Sequence, residues 1–304
     1  MNSSHKTLIV IAGPTAIGKT AAAIQLARRF KTVIISADSR QFYREMSIGT
    51  AKPTIEELAT ARHHFINSHA VTESFTVADF EKQSLELLDE LFKTKDSVIL
   101  VGGSGLYIKA ICEGFDNIPS VAPEIREKLN SGFAEKGITY LQEKLRVVDP
   151  EYYKQVDIQN PQRVIRALEI FEGTGKPFSS YRLAGINTRP FNIIKIGLNL
   201  PRDVLYERIN QRVDNMMQQG LEDEVKSLLP YRHLNALNTV GYSELFDYFD
   251  GNSDLSSAIE SIKQNTRRFA KRQLTWFRKD KDINWFEVDD SLEERLSAFL
   301  LDQP

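Results

Sequence analysis

A single cysteine, Cys112, in 304 residues excludes an intrachain disulfide framework and any cysteine-rich zinc module. A dominant charge sign is missing too. The net charge is −2 with 26% charged residues, so no global basic excess announces a nucleic-acid partner, and such a partner must be met by local patches. No apolar run is long enough to span a bilayer, and no membrane partner is expected. Residues 1–7 are short and polar and lead straight into a strand, so no signal peptide is expected and a cytoplasmic enzyme is the default. Internal repeats and low-complexity linkers are also lacking. What is left is an ordinary globular composition, 41% apolar, with chain enough for one large or two modest domains around a sizeable core.

The informative stretch is Gly13-Pro14-Thr15-Ala16-Ile17-Gly18-Lys19-Thr20. An apolar run, Leu8-Ile9-Val10-Ile11-Ala12, precedes it and reads as a buried strand; a helix-favouring run over 21–29 follows. Strand, G-x-x-x-x-G-K-[ST] and helix form the context in which a phosphate-binding loop is credible. The glycines let the backbone turn so that its N–H groups converge on an anion at the positive end of the helix. Lys19 adds a point charge, and Thr20 offers a hydroxyl to a divalent metal such as Mg²⁺. A plain strand–turn–helix containing glycines is the bland alternative, against which the spacing and both flanks weigh. The loop implies a di- or triphosphate without saying which molecule carries it.

Further along, 32–36 reads as a second buried strand ending at Asp38-Ser39-Arg40-Gln41, and 97–101 as a third, closing on Gly102-Gly103-Ser104-Gly105. A helix over 77–93 is expected from Phe80, Leu87, Leu88 and Leu91 with Leu85 beside them, and Ser84 leaves a gap in that stripe. Alternating β and α predicts a parallel sheet with helices on both faces. From 116 to about 189 the texture changes to helical stretches, 123–136, 139–147 and 161–172, punctuated by Gly, Pro and Asn. Strand character resumes over 192–198. A helix follows with Val204, Leu205, Ile209 and Val213 as its apolar stripe, then mostly helical chain, a strand over 283–288 and a terminal helix. The expected architecture is a phosphate-loop α/β core, 1–115 and 191–304, with an all-helical insertion, 116–190.

Ligands collect beyond the carboxyl ends of strands in such sheets, so Asp38 arrives where the phosphate loop points. Nucleotide hydrolases commonly hold their metal with an Asp closing a second apolar strand, but the third strand here ends in glycines. Asp38 followed by Ser-Arg-Gln suits a site where a carboxylate meets a second substrate beside a pyrophosphate. Arg208 and Arg212 share a helix face; on spacing alone a solvated face paired with Asp203 or Asp214 is the stronger reading. Gln162, Arg163 and Arg166 could grip RNA phosphates and base edges, though a plain amphipathic helix explains them nearly as well. Between Lys263 and Lys281 eight basic residues face one acidic residue, Asp280, with Phe269, Trp276 and Phe277 interleaved, a pattern expected of an RNA-binding helix. A surface helix with aromatics packed inward is the other reading, and opposite faces can do both. His63, His64 and His69 lack metal-ligand spacing and are expected to be satisfied structural histidines; Cys112 is expected in the core.

Taken in order, these motifs resemble the tRNA dimethylallyltransferases. The resemblance rests on the phosphate loop, Asp38-Ser39-Arg40-Gln41, Gly49-Thr50-Ala51-Lys52-Pro53 and Gly102-Gly103-Ser104-Gly105-Leu106-Tyr107. Gln162-Arg163-x-x-Arg166-Ala167-Leu168-Glu169, Val240-Gly241-Tyr242 and Lys271-Arg272-Gln273-Leu274-Thr275-Trp276 complete the set, over nearly the whole chain. The resemblance implies that Gly13, Pro14, Thr15, Ala16, Ile17, Gly18, Lys19 and Thr20 hold the pyrophosphate of dimethylallyl diphosphate and that Asp38 is the general base. Arg212 is implied to contact the diphosphate. The tRNA is implied to meet Asp38, Ser39, Arg40, Gln41, Ser104, Arg126, Gln162, Arg163, Arg166, Val240, Gly241, Tyr242, Lys271, Arg272, Gln273 and Arg278. Ser104 departs from the family's threonine but keeps the hydroxyl, so a polar contact is expected to survive. The chain lacks the zinc-finger extension of many eukaryotic members, which gives it a bacterial look.

The implied reaction transfers dimethylallyl to N6 of the adenosine beside the anticodon of tRNA, position 37, with Mg²⁺ at Thr20. The chain is expected to act as a monomer, with the insertion and the basic helix gripping the anticodon stem. Two rivals stand beside it. A prenyltransferase acting on free adenine nucleotides shares the core motifs but needs neither insertion nor cationic helix. A phosphate-loop kinase or RNA-binding nucleotide hydrolase would use Asp38 as a metal ligand only.

Overall fold

The computed structural model describes residues 6–114, 118–182 and 188–303. The chain separates into two units, Met1–Cys112 with Arg189–Pro304, and Glu113–Thr188. The sequence boundary at 116 falls outside the described residues. The first unit opens with β1 (Thr7–Ala12), α1 (Lys19–Arg29), β2 (Ile34–Ser36), α2 (Ile55–Thr60), β3 (His63–His64), α3 (Val77–Leu91), β4 (Ser97–Gly102) and α4 (Gly105–Glu113). The second unit carries α5 (Pro123–Val148), α6 (Pro150–Gln155) and α7 (Pro161–Thr174). The first then resumes with β5 (Asn192–Asn199), α8 (Arg202–Gln218), α9 (Leu221–Ser227), α10 (Tyr242–Phe249), α11 (Leu255–Phe277), β6 (Ile283–Glu287) and α12 (Leu292–Leu301).

The strands form one parallel sheet in the order β3-β2-β4-β1-β5-β6. Their continuous apolar runs follow from this, because a parallel sheet with helices on both faces buries every residue of a central strand. Alternate side chains go to opposite faces. Ile9 and Ile11 pack with Leu26 of α1, Leu205 and Ile209 of α8 and Leu296 of α12. Leu8 and Val10 pack with Phe80 and Leu88 of α3 and Ile108 and Ile111 of α4. A third cluster joins Val213, Leu221, Val225, Leu237, Tyr242, Leu245 and Ile262. The second unit has its own core, including Leu129, Leu141, Leu145, Val164, Ile165, Leu168 and Phe178.

Several local expectations are corrected. Ser84 is no gap: it is fully buried in line with Phe80 and Leu88, while Leu85, Leu87 and Leu91 are only partly covered. Its hydroxyl is small enough to sit under the sheet, and its Oγ has no hydrogen-bond partner there. Val204 is 39% exposed, so the α8 stripe is Leu205, Ile209 and Val213. The long α5 is two helical segments broken at Gly137, whose φ of 74° suits a residue without Cβ. His63 and His64 form β3 at the sheet edge, a strand too short to announce itself. His63 is satisfied on one side, its Nδ1 bonded to the Ala61 carbonyl at 2.7 Å, but the Nε2 atoms of both are buried without hydrogen-bond partners, and burial lowers both pKa values.

Candidate active site

Strand order explains why motifs far apart in sequence meet. β2, β4 and β1 are neighbours, so the segments leaving their carboxyl ends, Asp38-Ser39-Arg40-Gln41, Gly103-Ser104-Gly105 and the phosphate loop, line one edge of the sheet. Together with α8 and α11 they wall a cleft of about 1030 Å³. The loop curls tightly: Ala16 has φ 63° and Gly18, which caps α1, has φ 103°. That sequence of positive-φ positions turns backbone N–H groups inward, the arrangement of an anion nest at a helix N-terminus.

Lys19 is half-buried, and its Nζ donates to the Pro14 carbonyl at 2.7 Å. Burial lowers its pKa to about 7, with Asp38 opposing the shift and Arg212 adding to it. Arg212 is likewise lowered by burial and steadied by Asp38. The carboxylate and the two cations are therefore electrostatic neighbours in the cleft. This overturns the solvated-face reading of Arg212, because Asp214 pairs instead with Lys263 at 2.8 Å. Asp38 accepts the Arg40 amide at Oδ1, 3.1 Å. The Ser104 hydroxyl is engaged by its neighbour across the cleft wall: its Oγ accepts the Ser39 amide at 3.1 Å and donates to the Ser39 hydroxyl at 3.3 Å.

Among the residues implied to meet RNA, Asp38, Ser39, Arg40, Gln41, Ser104, Val240, Gly241, Arg272 and Gln273 line the cleft. Two of these have their polar atoms engaged inside the protein. Gln41 accepts the Ser36 hydroxyl and donates to the carbonyls of Thr50 and Ala51. Gln273 is 7% exposed, accepting from Thr15 N and donating to Gly103 O. Tyr242 is corrected outright. It is completely buried, its hydroxyl donates to Glu224 at 2.6 Å, and burial pushes its pKa up, so its ring faces the core and not a ligand. Lys271 and Arg278 are exposed but outside the cleft lining. On α11, Phe269 and Trp276 face outward into the cleft while Phe277 is buried, so opposite faces of that helix do serve different ends. Part of its charge is offset locally, Lys263 by Asp214 and Glu260, while Arg267 donates to the neutral Asn210 amide oxygen.

In the second unit Arg126, Gln162 and Arg166 gather about the buried Glu169. Arg126 pairs with it at 3.0 Å and donates to Gln162 at 2.8 Å, and Arg166 approaches at 3.3 Å. Arg163 is exposed on the same helix. Sequence reasoning missed Glu224 altogether. Its carboxylate accepts from the amides of Ser47, Ile48 and Gly49 at 2.9, 2.7 and 3.0 Å as well as from Tyr242, anchoring the Gly49–Pro53 motif beside the cleft. An acidic run at the start of a short helix gave no local signal of this. Among the described residues no cluster of His, Cys, Asp or Glu could hold a metal unaided, and no helix is long and apolar enough to cross a membrane.

A phosphate loop opening α1 at the carboxyl edge of a parallel sheet, faced by a carboxylate and two cations, defines a phosphate-loop α/β protein. A family model described as IPP transferase matches residues 41–280, and the chain belongs to that family. It is 58% identical to a tRNA dimethylallyltransferase of Christiangramia forsetii, covering 93% of this chain and 94% of the relative. It is 52% identical to that of Flavobacterium johnsoniae over 95% and 96%. Among solved structures, it is similar to a tRNA isopentenylpyrophosphate transferase from Bacillus halodurans, with 40% identity, TM-score 0.72 and coverage of 97% and 96%. A eukaryotic dimethylallyltransferase acting on tRNA matches at 25% identity and TM-score 0.81, over 98% of this chain and 80% of that one.

Proposed function

We propose that this chain transfers the dimethylallyl group of dimethylallyl diphosphate to N6 of the adenosine next to the anticodon of tRNA, position 37, releasing diphosphate. The observation that carries the reading is the meeting of Asp38, Lys19 and Arg212 in one cleft that begins at the phosphate loop. An adenine exocyclic amine is a weak nucleophile because its lone pair is delocalised into the ring. Asp38 takes the N6 proton as the C–N bond forms. The C–O bond to diphosphate breaks in the same event or just before it, and the departing negative charge is met by loop amides, Lys19 and Arg212. Thr20, in the first turn of α1, would hold Mg²⁺ with its hydroxyl, and the ion would add neutralising charge at the diphosphate.

The acceptor adenine must leave its stack, which costs less in a single-stranded loop than in a duplex. Exposed Phe269 and Trp276 offer ring faces at the cleft, and Arg40 and Arg272 offer charge for phosphates. Arg163 and the Arg126–Gln162–Arg166 group supply polar contacts from the second unit. A tRNA acceptor supports a cytoplasmic setting. The test mixes the protein with Mg²⁺, labelled dimethylallyl diphosphate and an anticodon stem-loop, AMP or ATP. Label in the stem-loop alone is expected. Label in AMP, or phosphate release from ATP without prenyl transfer, overturns the reading.

A further inference from the structure

The side chain of Gln273 is buried, and both ends of its amide are committed. Its Oε1 accepts the backbone N–H of Thr15, inside the phosphate loop, at 2.9 Å. Its Nε2 donates to the Gly103 carbonyl, at the end of β4, at 2.9 Å. The fit is close on that side, since a Cβ on Gly103 would collide with the amide nitrogen. One residue before it and three after it, Arg272 and Trp276 stand exposed in the cleft. α11 therefore presents charge and an aromatic ring to the acceptor and, from its buried side, holds the loop that would carry the leaving group.

Taking the function proposed above, we infer that Gln273 is a positioning residue that couples the two substrates. It sets the Thr15 peptide, and with it the curl of the diphosphate loop, from the helix on which RNA docks. A shift of α11 against the loop strains the bond to Thr15, and one against the end of β4 the bond to Gly103, and a buried amide left without partners is costly. RNA that favours the clamped position of α11 thus favours the anion-ready loop, and diphosphate in the loop favours RNA by the same factor, as linkage requires. A direct contact between the Gln273 amide and RNA is unnecessary on this account.

The experiment measures binding of magnesium diphosphate and of an anticodon stem-loop, each alone and with the other saturating, by calorimetry on the full chain. In the wild type each ligand is expected to tighten the other about fivefold. Gln273→Met keeps the volume and removes both bonds. It is expected to weaken diphosphate about tenfold, leave the stem-loop within about twofold, and bring the mutual effect close to unity. Gly103→Ala displaces the amide from the loop side while leaving α11 unaltered, and the same selective pattern is expected. Either variant, once its melting curve reports a folded chain, decides the matter. An unchanged mutual effect, an equal loss of both affinities, or a loss confined to the stem-loop overturns the inference, as does a wild type without mutual tightening. Absence of prenyl transfer in a wild type that binds both ligands overturns the proposed function and leaves the Gln273 result standing.

Discussion

Asp38 is coupled electrostatically to two cations whose charge it supports, and replacing it by Asn keeps the size while removing both the basic oxygen and that support. Asp38→Asn is expected to lower turnover by about 10²–10⁴-fold with stem-loop affinity within a few-fold. Single-turnover kinetics beside a binding assay checks this, and near-normal turnover would remove Asp38 from the role of base. Lys19 gives a pH signature. Its pKa is lowered to about 7, so the free protein loses this charge as pH rises through neutrality. A bound diphosphate favours the ammonium and raises that pKa, so binding takes up a proton above pH 7. Diphosphate affinity should be flat below neutrality and fall above it, by up to about tenfold per pH unit. In Lys19→Arg, which stays charged, the fall should vanish; an equally steep profile there would assign the effect to another group. Lys19 and Thr20 were legible as members of a phosphate loop because that loop is a local pattern. Arg212 was not, since spacing on a helix states which residues share a face and not whether water or a carboxylate faces them.

Elements add contacts that no local pattern carries. Glu224, on α9, accepts three consecutive amides of the segment after β2 and the hydroxyl of Tyr242 in α10. Glu224→Gln puts an NH₂ where an acceptor is needed, so a loss of about 1–3 kcal/mol is expected. Thermal melting and hydrogen exchange at Ser47–Gly49 would register it, and unchanged exchange there would sink the anchoring role. Tyr242 was placed at the RNA by its motif, but the motif is kept intact equally well by a buried strut, and only the fold tells these apart. On α11 the outward Arg272 is different. Arg272→Ala should weaken the stem-loop and shallow the dependence of log affinity on log salt by about one unit, with diphosphate affinity preserved. The same slope in both proteins would argue against a phosphate contact.

The molecule as a whole is two units with separate cores, and perturbing one core should leave the chemistry of the other alone. Leu145, fully buried among Leu129, Leu141 and Val164, is the cleanest probe. Leu145→Ala is expected to cost the second unit about 2–5 kcal/mol. Stem-loop affinity should fall while diphosphate affinity holds; hydrogen exchange would localise the loosening to Glu113–Thr188, and a matching loss of diphosphate binding would contradict that independence. Residue order alone was enough for the parallel α/β plan, the helical insertion, the phosphate loop and Asp38 at a strand end, because periodicity and turn chemistry act over a few neighbouring residues. Which strands adjoin, that Arg212 lies within electrostatic reach of Asp38, that Tyr242 faces inward and that Gln273 holds Thr15 came only with the folded chain. Those facts depend on contacts between residues tens to hundreds of positions apart, including 258 between Thr15 and Gln273, and packing at that separation leaves no period in the sequence to read.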